Sequence, residues 1–354
     1  MNWIEPERAV QLADRAISLA SELGLPTQAR ALGFRGFSRA VLGDEDGVDD
    51  MLQALDAATS QGLGRETALL YFNLSEVLGV SEGARVRLET LERGLSFAQR
   101  RGIEEFVLAF CADIVATHVD LGAYDEALER ARELDPRLDE ARDVSDQIMV
   151  RSSEVAVFSR RGRLDKALDL SRWAIERARE SENPQFLALA LGSGAALQLA
   201  AQDLAAARDL LEELDRIKRL ALPYAGALPH VVRTAVALGD ADLARRLADN
   251  LPSKPLLRKA GLLTAQALIA EHEGRHGQAA GAFAEAAKAW ERLQTPWERA
   301  HALLGQGRCL VALGRSSEAS DLIRAARKVF NALGAAPALS ETDALMQRAS
   351  ALAS

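Results

Sequence analysis

A short turn-like segment recurs along the chain at a near-constant interval, and this recurrence restricts the possible folds more than any other feature. The copies read LGDEDGV around Gly43, LGAYDEA around Gly122, RGRLDKA around Gly162, LGDADLA around Gly239, EGRHGQA around Gly274 and LGRSSEA around Gly314. Weaker copies stand at Gly83 and at Gln202, where glycine is replaced. Successive anchors lie 40, 39, 40, 40, 37, 35 and 40 residues apart. Self-similarity at such a period marks a chain built from stacked supersecondary units, each packed mainly on its neighbours.

The unit is a pair of helices. Five residues after each anchor stand Val48, Leu88, Ala127, Ala167, Ala207, Ala244, Ala279 and Ala319. A small residue at a fixed distance from a turn is what two closely crossing helices require. The stretches DEALERARELD after Gly122 and DKALDLSRWAIERARE after Gly162 carry apolar residues at three- and four-residue steps, with charges on the other face. The stretches before the turns, such as VLAFCADIVATHVDL and FLALALGSGAALQLAA, are apolar nearly all round, as suits helices flanked on both sides. Aromatic residues make up only 5% of a chain that is 48% hydrophobic, a balance that favours helix over strand.

Glycine at each anchor suits a left-handed backbone at the end of the first helix. The breaker-rich segments LGLPTQ, QGLGRE, RRGIEE, ESENPQ, LPSKP and LQTPWE separate one hairpin from the next. Pro184, Pro255 and Pro296 fall where a first helical turn tolerates a missing amide donor. Together these features predict an all-α, right-handed α-α superhelix over residues 1–354. It has about eight hairpins, with turns near 43, 83, 122, 162, 202, 239, 274 and 314. Residues 1–24 read as the second helix of a hairpin whose first helix is missing, either a cap or the edge of a piece cut from a longer polypeptide. Residues 337–354 read as a capping helix.

These residues carry a family likeness. Gly at the anchor, Tyr124 or Leu164 two later, Ala five later, and Gly36 and Gly307 seven before resemble the tetratricopeptide repeat. The longer period is similar to the long-helix variety found in bacterial signalling proteins. ALLGQGRCLVALGR (302–315) followed by ARKVFNALGAAPALSETDAL (326–345) resembles the C-terminal arrays of large bacterial ATPases joined to nucleotide cyclase or transcription-factor modules. The resemblance implies a non-catalytic scaffold for protein interaction or ligand sensing. The partner it implies is a protein or peptide, the ATPase or cyclase module of the same polypeptide being one candidate.

Charge and motifs narrow the function classes. A formal charge of −8 gives no bulk field for capturing phosphate backbones, so nucleic acid is disfavoured. Cys111 and Cys309 are too far apart in sequence to suggest a disulfide framework or a thiolate metal site. The N-terminal stretch MNWIEPERAV lacks the basic start of a signal peptide, and the longest apolar tract, Phe186 to Ala201, falls short of a bilayer span. A cytoplasmic protein without a membrane partner is expected. The paired glycines of GLGRE, GSGAA and GQGRC complete no dinucleotide or phosphate-loop pattern, and no cofactor is expected.

HEGRH at 272–276 fits H-E-x-x-H, the zinc-hydrolase signature that would make the chain an enzyme. That chemistry needs both imidazoles on one unbroken helix face. Gly274 stands in the register of the turn glycines, which predicts that His272 ends one helix and His276 lies in the turn beyond. No metal site is therefore expected. Residues predicted to face the concave surface are Arg30, Phe37, Asn73, Met149, Ser152, Arg160, Arg233, Thr264, His301 and Arg308. Its arginines suit an acidic peptide, a carboxylate or a phosphorylated ligand, unless neighbouring Asp and Glu neutralise them.

Overall fold

A computed structural model describes residues 5–26, 28–142, 144–217 and 224–353, which form helices throughout and no strand. The chain opens with α1 (Pro6–Glu22). Eight hairpins follow: α2 (Ala29–Val41) with α3 (Asp46–Ser60), α4 (Gly64–Ser81) with α5 (Ala84–Arg101), α6 (Glu104–Asp120) with α7 (Tyr124–Ala141), and α8 (Val144–Arg160) with α9 (Leu164–Glu180). Next come α10 (Pro184–Ala200) with α11 (Leu204–Ile217), α12 (Tyr224–Ala237) with α13 (Ala241–Ala248), α14 (Leu256–His272) with α15 (His276–Arg292), and α16 (Pro296–Ala312) with α17 (Ser316–Ala332). The last helix is α18 (Ala336–Ala353).

Each even-numbered helix from α2 onward packs on its hairpin partner and on the next even-numbered helix, so the even helices form an inner layer and the odd helices an outer one. The sequences explain the division. Inner α10 is apolar on every side, whereas outer α11, LAAARDLLEELDRI, buries Ala207, Leu211 and Leu214 along one stripe and gives its charges to solvent. The layered stack is an α-α superhelix.

Local chemistry fixes each hairpin. The turn residues Gly43, Gly83, Gly122, Gly162, Gly239, Gly274 and Gly314 all have positive φ, and Gln202 takes the same conformation at +66°. Ala127, Ala167, Ala207, Ala244, Ala279 and Ala319 are buried at the crossing of the paired helices. Gly307 faces that crossing from the first helix, where a Cβ would come within 2.7 Å of the Ile323 side chain. Pro184 and Pro296 are the first residues of their helices, and Pro255 caps α14.

The superhelix winds tightly enough to touch itself. α4 meets α14, and α8 meets α18, ten helices later in each case. The Ala84 amide donates to the Leu293 carbonyl at 3.0 Å, and the Arg85 amide to Gln294 Oε1 at 3.2 Å. Arg258 Nη1 donates to the Val41 carbonyl, 217 positions away, at 3.2 Å. Successive superhelical turns are thereby clasped together around the concave face.

Candidate ligand cavity on the concave face

Six inner helices, α8, α10, α12, α14, α16 and α18, converge on a cavity of about 620 Å³. That size suits a small molecule or a few residues of peptide. Helical spacing aims the side chains. His230, Arg233, Thr234 and Ala237 repeat at three and four residues along α12, and Trp297, His301 and Arg308 share one face of α16. Apolar wall comes from Val155 and Ala156 on α8, Ala196 and Leu199 on α10, and Leu268 on α14.

The three cavity arginines differ in their pairing. Arg308 holds Glu271 in a two-pronged contact, Nε to Oε1 at 2.7 Å and Nη2 to Oε2 at 2.9 Å, and reaches Glu341 with Nη1 at 2.8 Å. Burial opposes its charge, yet these carboxylates outweigh it and hold the guanidinium above its usual pKa. Arg233 pairs with the buried Glu298 at 2.7 Å. Arg160, among the described residues, pairs with no carboxylate. Its Nη1 donates to the Tyr124 hydroxyl at 3.0 Å, and its guanidinium lies 4.8 Å from the Trp297 ring centroid. The Asp120 carboxyl feels Arg160 only through space.

Two imidazoles complete the wall. Burial pushes His230 down to about 4, with Arg233 and Arg160 acting in the same direction against Glu298. Burial and the three arginines hold His301 well below the usual histidine range. Both rings are therefore neutral near pH 7, and the Nε2 atom of each is buried without a hydrogen-bond partner. His301 is held edge-on between Trp297, at 4.5 Å between centroids, and Phe330, at 4.9 Å.

Of the residues predicted to face the concave surface, Arg160, Arg233, His301 and Arg308 meet in this cavity. The others do not join them. Arg30 is exposed on α2 beside α1, with its guanidinium 5.8 Å from the Phe34 ring. Phe37 is buried in the core between α2, α3 and α4. Asn73 is half-buried on α4, and Met149 packs against the core from α8. Ser152 is buried with its hydroxyl unpartnered. Thr264 is buried too, its hydroxyl accepting from Trp290 Nε1 at 2.9 Å. An inner helix is covered on several sides, so only one face of it reaches the groove and the other positions enter the core. Trp297, His230, Glu271 and Glu341 line the cavity, and Glu298 backs Arg233, without standing out in the sequence. The four-residue step from Trp297 to His301, immediately after Pro296, was the available signal.

The HEGRH segment does not build a zinc centre. α14 ends at His272, Gly274 turns with φ of +77°, and His276 starts α15 rather than lying in the turn. The imidazoles therefore sit on two helices. Glu273, which would serve as general base, is held by Arg245 and Arg275. No cluster of three metal-ligating side chains occurs among the described residues. Nor is any described helix long and apolar enough to cross a membrane.

No family model matches the chain, and no curated protein matches it either. Among solved structures it is similar to a Rap protein complexed with competence and sporulation factor, at 13% identity and a TM-score of 0.45, covering 99% of this chain and 96% of that one. It is also similar to yeast Tom70, at 13% identity and a TM-score of 0.38 over 96% of this chain and 85% of that one. A circular tandem repeat protein matches at 16% identity and a TM-score of 0.29, covering 98% of this chain and 91% of that one.

Proposed function

We propose that the chain is a non-catalytic recognition scaffold that holds part of a protein or peptide partner, or a ligand, in the concave cavity. We further propose that it serves as the regulatory region of a larger ATPase- or cyclase-like signalling protein. The observation that carries the first part is the cavity itself, with walls contributed by the inner helices of five successive hairpins and by the last helix, α18. An occupant that touches several hairpins favours one set of inter-hairpin angles, and small differences between neighbours add along the solenoid. The sequence resemblance over 302–345 supports the signalling context. The carboxylates on Arg233 and Arg308 disfavour a strongly acidic partner, because each new negative charge would have to displace one already present.

A displayed library of random dodecapeptides, panned against the purified chain, tests the scaffold reading. Enriched peptides are expected to lose binding to Ala196→Trp, which fills the cavity, and to keep it with Arg132→Glu on the exposed face of α7. The opposite pattern would place recognition outside the concave face.

A further inference from the structure

The cavity wall carries three guanidinium groups and two carboxylates, Glu271 and Glu341, with Glu298 buried behind Arg233, and the charges are unevenly matched. Glu298 answers Arg233, while Glu271 and Glu341 both answer Arg308. Arg160 alone has no ion pair among the described residues, and only one of its donors is engaged, by the Tyr124 hydroxyl. The remaining edge of its fork has the geometry that a carboxylate satisfies with two parallel hydrogen bonds. The contacts to Tyr124 and Trp297 hold the group in place before anything binds. Tyr124 is itself almost wholly buried, so it does not swing away.

The surroundings restrict what else a ligand carries. A second negative charge would meet Glu271 and Glu341 on the same wall, which argues against phosphates and acidic peptides. Around Arg160 the wall is uncharged and largely apolar, with Val155, Ala156 and Ser159 on α8 and the Trp297 ring against the guanidinium. The buried Nε2 atoms of His230 and His301 lack partners, and a buried polar atom left unpaired costs about 1–3 kcal/mol. Each neutral imidazole offers a single donor or acceptor, suited to a carboxylate oxygen or a hydroxyl.

We infer that the cavity takes a compact organic acid, a free small molecule with one carboxylate on an uncharged apolar body, its carboxylate seated on Arg160. This rests on the concave cavity being the recognition site, and it names the ligand class for that site. A peptide ending in an apolar residue shares the same chemistry. The small acid is favoured because a space of about 620 Å³ takes a small molecule whole but only the last few residues of a peptide.

Isothermal titration of the intact chain with 4-phenylbutyrate and decanoate, and with their amides, tests the inference. The acids are expected to bind at least roughly tenfold more tightly than the amides. Arg160→Gln brings acid and amide to the same weak level, with the circular dichroism spectrum unchanged. Should Arg160→Gln fail to fold, Ala196→Trp keeps the arginine and is expected to abolish binding of both acids by filling the space. Amides binding as tightly as acids, or acids indifferent to both substitutions, would overturn the inference. So would binding of a short apolar peptide with a free C-terminus, lost on its amidation, where neither free acid binds. Library peptides that depend on Ala196 alongside acids that do not bind would likewise overturn it while leaving the scaffold standing. Acids that bind through Arg160 support it whether or not peptides are enriched.

Discussion

The concave face is filled at one level of the superhelix and hollow at another. Where α2 and α4 meet α14, Phe37, Val41, Val77 and Val80 close around the side chain of Arg258 and leave a void of about 30 Å³. Arg258 Nη1 donates to the Val41 and Lys254 carbonyls at 3.2 and 3.1 Å, and burial without a counter-charge lowers its pKa. Where α8 to α18 meet, the side chains stand back and the space is about twenty times larger, 620 against 30 Å³. The same repeat architecture therefore yields a plug and a chamber. The difference lies in residue choice on the inner face, with long side chains pointing inward at the first level and Ala156, Ala196 and Ala237 at the second.

Acid should separate the two levels most strongly. The folded-state pKa of His230 is pushed down to about 4, so the folded chain refuses a proton that the unfolded chain accepts near 6.5. Its contribution to stability is complete above about pH 6.5, declines as pH falls, and is exhausted near the folded value of about 4. The loss for this residue alone is about 3 kcal/mol, with His301 adding to it in the same direction. Urea unfolding at pH 7.5 and 4.5 should show a smaller acid loss in His230→Gln than in the unaltered chain. An equal loss in both would mean that the imidazole is not held neutral in the cavity wall.

Overpacking gives the next largest contrast. Val77→Trp forces a large ring into the filled level, where Val77 is buried, and should cost about 2–3 kcal/mol. Ala196→Trp puts the same ring into the chamber and should cost less than about 1 kcal/mol. Equal costs in thermal denaturation would show that the chamber is not open space in solution.

The clasp between superhelical turns comes third. Gly83 has φ of +113°, and a Cβ there would lie 2.7 Å from the Leu293 carbonyl oxygen. Gly83→Ala should break the Ala84–Leu293 hydrogen bond, at a cost of about 1–2 kcal/mol. Faster amide exchange at Ala84 with α10 unchanged would locate the damage at the clasp; loss of protection throughout would mean that the two levels unfold as one. Smallest is Arg258→Met, which keeps the volume but gives up two carbonyl contacts and relieves a buried unpaired charge. These terms oppose each other, and the change in melting stability should stay within about 1 kcal/mol.

Particular residues show what the sequence made legible. The alanine five residues after Gly274 had to be small because two helices cross there, and Ala279 is fully buried at that crossing. The break inside HEGRH followed from Gly274 sharing its register with the other turn glycines, and α14 does end before it. Such inferences need only contacts within a hairpin, such as Gly307 with Ile323, where the partners are close in sequence and local chemistry decides. The candidate site was legible in part. The repeat register turns Arg160, Arg233, His301 and Arg308 inward, but it does the same for Thr264, which the core absorbs. Position within a helical turn does not reveal how many neighbours crowd that helix.

The amino-acid order alone determined that the chain is a stack of helical hairpins, because period, turn glycine and small contact residue are all properties of one repeat. Only the tertiary structure decided that α8 meets α18, that Glu271 and Glu341 share Arg308, and that Arg160 is left without a carboxylate. Those outcomes depend on the sum of the angles between successive hairpins. A small rotation at each step, accumulated over ten helices, sets which distant side chains meet, and no single stretch of sequence carries that sum.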